Sequence, residues 1–157
     1  MHKYPITSSG LQKMNDELNK LKHSDRPRII QAIAEAKAQG DLSENAEYTA
    51  AKEEQGMIEA KISDLESKIA LAEVIEPSEI KSDKIQFGAT VTLSEADTAK
   101  IKKYKIVGDF ESDINKGYIS IFSPLAHAML GKKIGDEVEV TTPKGIRYYE
   151  VNKIDYC

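Results

Sequence analysis

The chain has 157 residues, is 40% hydrophobic and 31% charged, and carries a formal net charge of −4. That composition predicts a folded, soluble protein of one ordinary domain or two small ones and excludes a disordered chain. No apolar stretch approaches the ~20 residues needed to span a bilayer, so no membrane partner is expected. Met1-His2-Lys3-Tyr4-Pro5-Ile6 lacks the apolar core of a signal peptide, and Cys157, the only cysteine, allows no internal disulfide. Both features point to a reducing cytoplasm.

The charge is uneven. Residues 1–76 hold 10 Lys/Arg against 14 Asp/Glu, while residues 77–157 hold 12 of each, so the whole net charge lies on the first half. Residues 38–51 contain Asp41, Glu44 and Glu47 and no base. Such a surface repels nucleic acid unless a cation intervenes, which argues against a sequence-reading DNA binder.

In chain order, Thr7 is placed to cap a first helix, with Ile6 and Leu11 at the spacing of a hydrophobic staple. Leu11, Met14, Leu18 and Leu21 then recur at steps of 3, 4 and 3, a coiled-coil seam. Pro27 removes a backbone donor and predicts a kink or register shift. The pattern resumes through Ile29, Ile30, Ile33, Ala34 and Ala36 and stops at Gly40. A second helix is expected from about Ser43 to about Val74. Ile58, Ile62, Leu65, Ile69 and Ala72 form its seam, and Ala46, Ala50 and Ala51 line its first half. Arms of ~33 residues joined by a short gap fold back antiparallel into a hairpin about 50 Å long at ~1.5 Å per residue. Glu76-Pro77-Ser78 opens a linker.

Residues 85–157 change character. Strands are expected at Ile85–Leu93, Lys102–Val107, Tyr118–Phe122, Val138–Thr141 and Ile146–Ile154, rich in β-branched and aromatic residues. Ser123-Pro124 reads as an N-cap followed by proline at the first helical position, starting a short helix through Leu130. The fold class is therefore α plus α+β: a two-helix hairpin over 1–76 and a small, mostly antiparallel sheet with one helix over 77–157. Val74, Ile75 and Ile80 are the residues expected to pack the hairpin base against that sheet.

The candidate chemistry lies in Gly40-Asp41-Leu42-Ser43-Glu44-Asn45-Ala46-Glu47, between the seams. Asp41 and Glu44 are hard oxygen donors that suit Mg²⁺. Two carboxylates do not complete an octahedral set, and His2, His23 and His127 lie elsewhere, so the pair looks like half of a metal site. The same spacing also fits a capping box with Asp as N-cap, and acids complement a helix N-terminus. Lys37 and Lys52 flank the acids and are placed to touch phosphates; taken alone, a solvated helix face is the favoured explanation. Tyr48 is placed either to stack on a base or to pack across the hairpin end.

Gly40-Asp41-Leu42-Ser43-Glu44-Asn45-Ala46-Glu47-Tyr48, continued by Ala50-Ala51-Lys52-Glu53-Glu54-Gln55-Gly56, resembles the tip signature of the bacterial Gre transcript-cleavage factors, GreA type. Arg26 to Ala36 and Ser123 to Asp136 are similar to the same family. The resemblance implies a cytoplasmic, DNA-binding bacterial protein that works as a monomer, with a C-terminal domain similar to the FKBP fold. It implies that this domain docks on RNA polymerase, here through Ser123, Pro124 and Leu125, while the hairpin enters the secondary channel. It further implies that Asp41 and Glu44 help hold a Mg²⁺ ion shared with the polymerase, none being bound by the free protein. The polymerase then cleaves the 3′ end of its backtracked RNA. Lys37 and Lys52 match the family's RNA-contacting patch, where Arg is more usual, and Lys lacks the bidentate fork. His127 stands where the family usually shows Arg or Lys. Two rivals remain: an antagonist of the same build that does not promote cleavage, and a prolyl isomerase or holdase. The second is disfavoured by the scarcity of aromatic residues in 77–157.

Overall fold

The computed structural model describes residues 3–40 and 45–157. Its contacts divide the chain into two compact units, one of Met1–Gly10 with Ala72–Cys157 and the other of Leu11–Leu71.

The hairpin unit is built from α1 (Ser8–Lys20), a π-turn over Leu21–Asp25, α2 (Arg26–Ala38) and α3 (Ala46–Ala70). Pro27 does not break the first arm. The turn before it widens instead, with the Arg26 N–H reaching Leu21 O, five residues back. This is the register shift expected at the proline. The buried residues of the first arm are Met14, Leu21, Ile29, Ile33 and Ala36, and they face Ala51, Ile58, Ile62 and Leu65 of α3. Ile30 is 53% exposed and Ala34, Ala46 and Ala50 are also exposed, although the apolar pattern included them. A two-helix contact needs only a narrow seam, and these four residues lie off it.

Ion pairs lock the antiparallel alignment. Lys22 meets Glu66 at 3.4 Å, Arg26 meets Glu59 with two bonds of 2.8 Å, and Arg28 meets Glu54 at 2.5 Å. Partner numbers fall along α3 as they rise along the first arm, as antiparallel arms require. The hydrogen bond from Arg26 holds the Glu59 carboxyl below the usual carboxylate range and raises the Arg26 guanidinium.

Two short strands were not legible as such. β1 (Tyr4–Thr7) pairs in parallel with β2 (Ala72–Ile75). The second helix therefore ends at Ala70 rather than near Val74, and both ends of the expected hairpin segment fall within the sheet unit. Val74, expected to pack, is 49% exposed, while Pro77 beyond it is buried. Thr7 does cap α1, its Oγ1 accepting from Gly10 N at 3.1 Å.

The rest of the sheet unit has five strands: β3 (Ala89–Glu95), β4 (Ile101–Val107), β5 (Tyr118–Ser120), β6 (Glu137–Thr142) and β7 (Gly145–Tyr156). Their order is β5-β4-β3-β7-β6, antiparallel except for the parallel β4–β5 pair. β3 starts four residues later than expected because Gly88, at φ 87°, interrupts the extended run from Ile85. A bulge between the partners of Thr92 and Leu93 leaves Asn152 unpaired in β7. The short helix α4 (Pro124–Met129) buries Ala126 and Met129 against Ile85, Val91, Leu93, Ile106, Val138 and Val151. Among the described residues no helix is long and apolar enough to cross a membrane.

Candidate functional site at the hairpin link

The end of the hairpin is set by two residues. α2 finishes at Ala38, and Gly40 takes φ 134°, a backbone setting that side-chain-bearing residues avoid. Asn45 then begins α3. Its Oδ1 accepts from Tyr48 N at 3.0 Å, the bond of an N-cap, and its Nδ2 donates to Ala36 O at 2.7 Å across the hairpin. Its own carbonyl accepts from Thr49 N at 3.1 Å. One carboxamide thus starts α3 and ties it to the last turn of α2. The four residues 41–44 join these fastened ends. Asp41 and Glu44 lie outside the described residues.

This bears on the capping alternative. The second helix starts at Ala46, not near Leu42 or Ser43, and its cap is Asn45. The cap role that the spacing offered to Asp41 belongs to another side chain. Asn can accept from one arm and donate to the other at once, which an ionised Asp, having no proton to donate, cannot do. Asn45 is the residue at the link that the sequence pattern leaves unremarked; its signal is an N-cap type directly before Ala46-Glu47.

Lys37 is exposed in the last turn of α2, and Lys52 is exposed on α3. Lys52 Nζ donates to Gln55 Oε1 at 3.2 Å. Lys22, Arg26 and Arg28 are each matched to a glutamate of the opposite arm, whereas Lys37 and Lys52 make no ion pair among the described residues. Tyr48 is half-buried beside the cap.

In the sheet unit, Ser123 Oγ accepts from Ala126 N at 3.2 Å and so is used as the cap of α4. Pro124 and His127 are exposed, and Leu125 packs partly on the core. Of Ser123, Pro124 and Leu125, only Pro124 is exposed.

No group of three or more His, Cys, Asp or Glu able to hold a metal ion occurs among the described residues. Two carboxylates at 41 and 44 fit Mg²⁺ in donor type but fall short of its octahedral demand.

A helical hairpin with an acidic link, on a chain whose other unit is a curled mixed sheet, defines a two-part protein in which each part matches its own family profile. The profile for transcription elongation factor, N-terminal, matches residues 4–74, and that for transcription elongation factor, GreA/GreB, C-terminal, matches residues 80–156. Transcription elongation factor GreA of Caulobacter sp. strain K31 is 49% identical over 156 residues, covering 99% of each chain. That of Brucella canis is 54% identical over 151 residues, covering 96% of each. The crystal structure of Thermus aquaticus Gfh1 is similar at 26% identity, covering 99% of each chain, but its TM-score of 0.45 adds no weight. The chain belongs to the GreA/GreB family of transcription elongation factors.

Proposed function

We propose that this factor enters the secondary channel of bacterial RNA polymerase hairpin first and stimulates cleavage of the 3′ end of backtracked RNA. The observation that carries the reading is Asn45. By joining Tyr48 N to Ala36 O it fastens both ends of the acidic link and leaves the carboxylates at 41 and 44 unneeded as caps. Asp41 and Glu44 would supply oxygen ligands to Mg²⁺ and orient the attacking water, with the polymerase's own acids and the RNA phosphate completing the set. When bound there, the ion would supply Lewis-acid charge at the scissile phosphate. Lys37 and Lys52, without ion-pair partners among the described residues, offset the phosphates that the acidic link would otherwise repel. The exposed Pro124, with Ser123 and Leu125, forms the docking segment. The chain itself is a stimulator, and the hydrolysis belongs to the polymerase.

The test is cleavage of a stalled, backtracked complex by the native protein beside Asp41→Asn and Glu44→Gln. The native protein shortens the RNA and the two variants do not, while their thermal stability stays within ~0.5 kcal/mol of native. A capping role predicts the reverse, a loss of about 1 kcal/mol with cleavage intact. If the native protein binds the polymerase without shortening the RNA, it is the antagonist and the proposal fails.

A further inference from the structure

β1 is held to the sheet unit from two sides. At its start the Tyr4 ring meets Phe110 edge-on at 5.6 Å and Phe122 at 6.3 Å between centroids. Phe122 directly precedes Ser123-Pro124. At its end stands Thr7, 1% exposed. The Thr7 N–H donates to Glu111 Oε2 at 3.0 Å, and its hydroxyl donates to Glu111 Oε1. The same Oε2 accepts from Gly108 N at 2.8 Å. A carboxylate 104 residues away along the chain therefore grips the residue that caps α1.

Two glycines make the room for this grip. A Cβ at Gly10 would fall well inside van der Waals contact with the Glu111 side chain, and one at Gly108 would do the same with the Pro5 carbonyl. Glycine inside the first turn of a helix weakens it, so its presence at position 10 calls for a steric reason, and Glu111 supplies one. The first turn of α1 belongs to the sheet unit, and the rest of α1 runs into the hairpin unit. Within the sheet unit, Phe122 beside the Ser-Pro segment meets the Tyr4 ring, and the backbone of β1 runs from Tyr4 to Thr7, the cap of α1.

We propose that Glu111 is a positioning residue for transcript cleavage. It fixes the first turn of α1 to the unit that docks, so that binding at Ser123–Leu125 sets where the hairpin arm begins. The inference rests on the reading of docking and tip given above. A purely structural Glu111 would stabilise the sheet unit and nothing more.

Full-length native protein, Glu111→Gln, Glu111→Ala and Gly10→Ala are compared in two measurements. The first is cleavage of a backtracked complex as a function of factor concentration. The second is the spin-label distance distribution between the native Cys157, which is exposed, and the thiol of Lys61→Cys at an exposed position of α3. Loosening the start of the arm lowers the maximal cleavage rate on the order of 10- to 100-fold, with the half-saturating concentration unchanged. It also broadens the distance distribution in all three variants. Gly10→Ala is the discriminating case: alanine favours the helix yet evicts Glu111, so a stability role predicts no harm from it. An unchanged distribution in the variants overturns the inference whatever the activities. So does a loss confined to half-saturation. Failure of the native protein to stimulate cleavage would strike the functional reading instead, and the distance measurement would still decide this one.

Discussion

Asn45 makes two separable contributions, and substitution can divide them. Asn45→Ala removes the cap on Tyr48 N, worth ~1 kcal/mol, and the 2.7 Å bond to Ala36 O, worth about 1 kcal/mol more. The expected loss is about 2 kcal/mol. Asn45→Asp keeps the cap acceptor but has nothing to donate to Ala36 O, so it loses roughly half as much. For a unit the size of the hairpin, ~4–8 °C per kcal/mol gives a fall of about 8–16 °C for Ala and half that for Asp. Far-UV circular dichroism on heating reads this directly, because the hairpin unit carries most of the helix. Cleavage stimulation falls in the same order, since the link's ends loosen in that order. Equal melting of Asn45→Ala and native protein would refute the assignment of Asn45 as the clasp. Equal losses for Ala and Asp would refute the division into two bonds.

Two further outcomes follow from the same geometry. Lys37→Ala combined with Lys52→Ala weakens RNA engagement in the elongation complex, measured by crosslinking of the RNA 3′ end, and leaves polymerase binding unchanged; equal loss of both would place these lysines in docking. The Glu76 carboxyl is held below the usual carboxylate range, chiefly by the Ser8 hydroxyl and then by Ser78. A depressed folded pKa means its stabilisation is complete above the ordinary value of about 4.3 and is lost as pH falls through the lower folded value. Ser8→Ala should therefore move the Glu76 titration, followed by carboxyl-carbon NMR, upward, and an unmoved titration would refute that bond.

Much of this was readable from the residues because the seams obey simple periods. Met14, Leu21, Ile58, Ile62 and Leu65 are buried as their spacing required, and the Ser123 cap and Thr7 cap form as residue chemistry suggested. β1 and β2 were hidden because each is four residues long and abuts a helix, so neither shows a period of its own. The Glu111–Thr7 grip was hidden for a different reason: it joins residues 104 apart, and no local pattern announces such a pair. At the link, the acid pair was conspicuous, whereas Asn45, which organises the ends, is one polar residue among several. Lys37 and Lys52 differ from Lys22, Arg26 and Arg28 only once the arms are aligned and those three are seen to be matched across the hairpin.

The π-turn before Pro27 has a consequence for how the first arm tolerates change in length. Buried positions step by seven from Met14 to Leu21, then by eight to Ile29, then by four and three. The wide turn at Leu21–Asp25 takes up the odd residue and keeps the stripe aimed at α3. Removing one residue there would tighten the turn to ordinary helix and restore the seven-step spacing. Removing one anywhere else in the arm would swing the stripe about 100° away from its partner. The arm thus carries its own slack at a single place, and that place is marked by the proline.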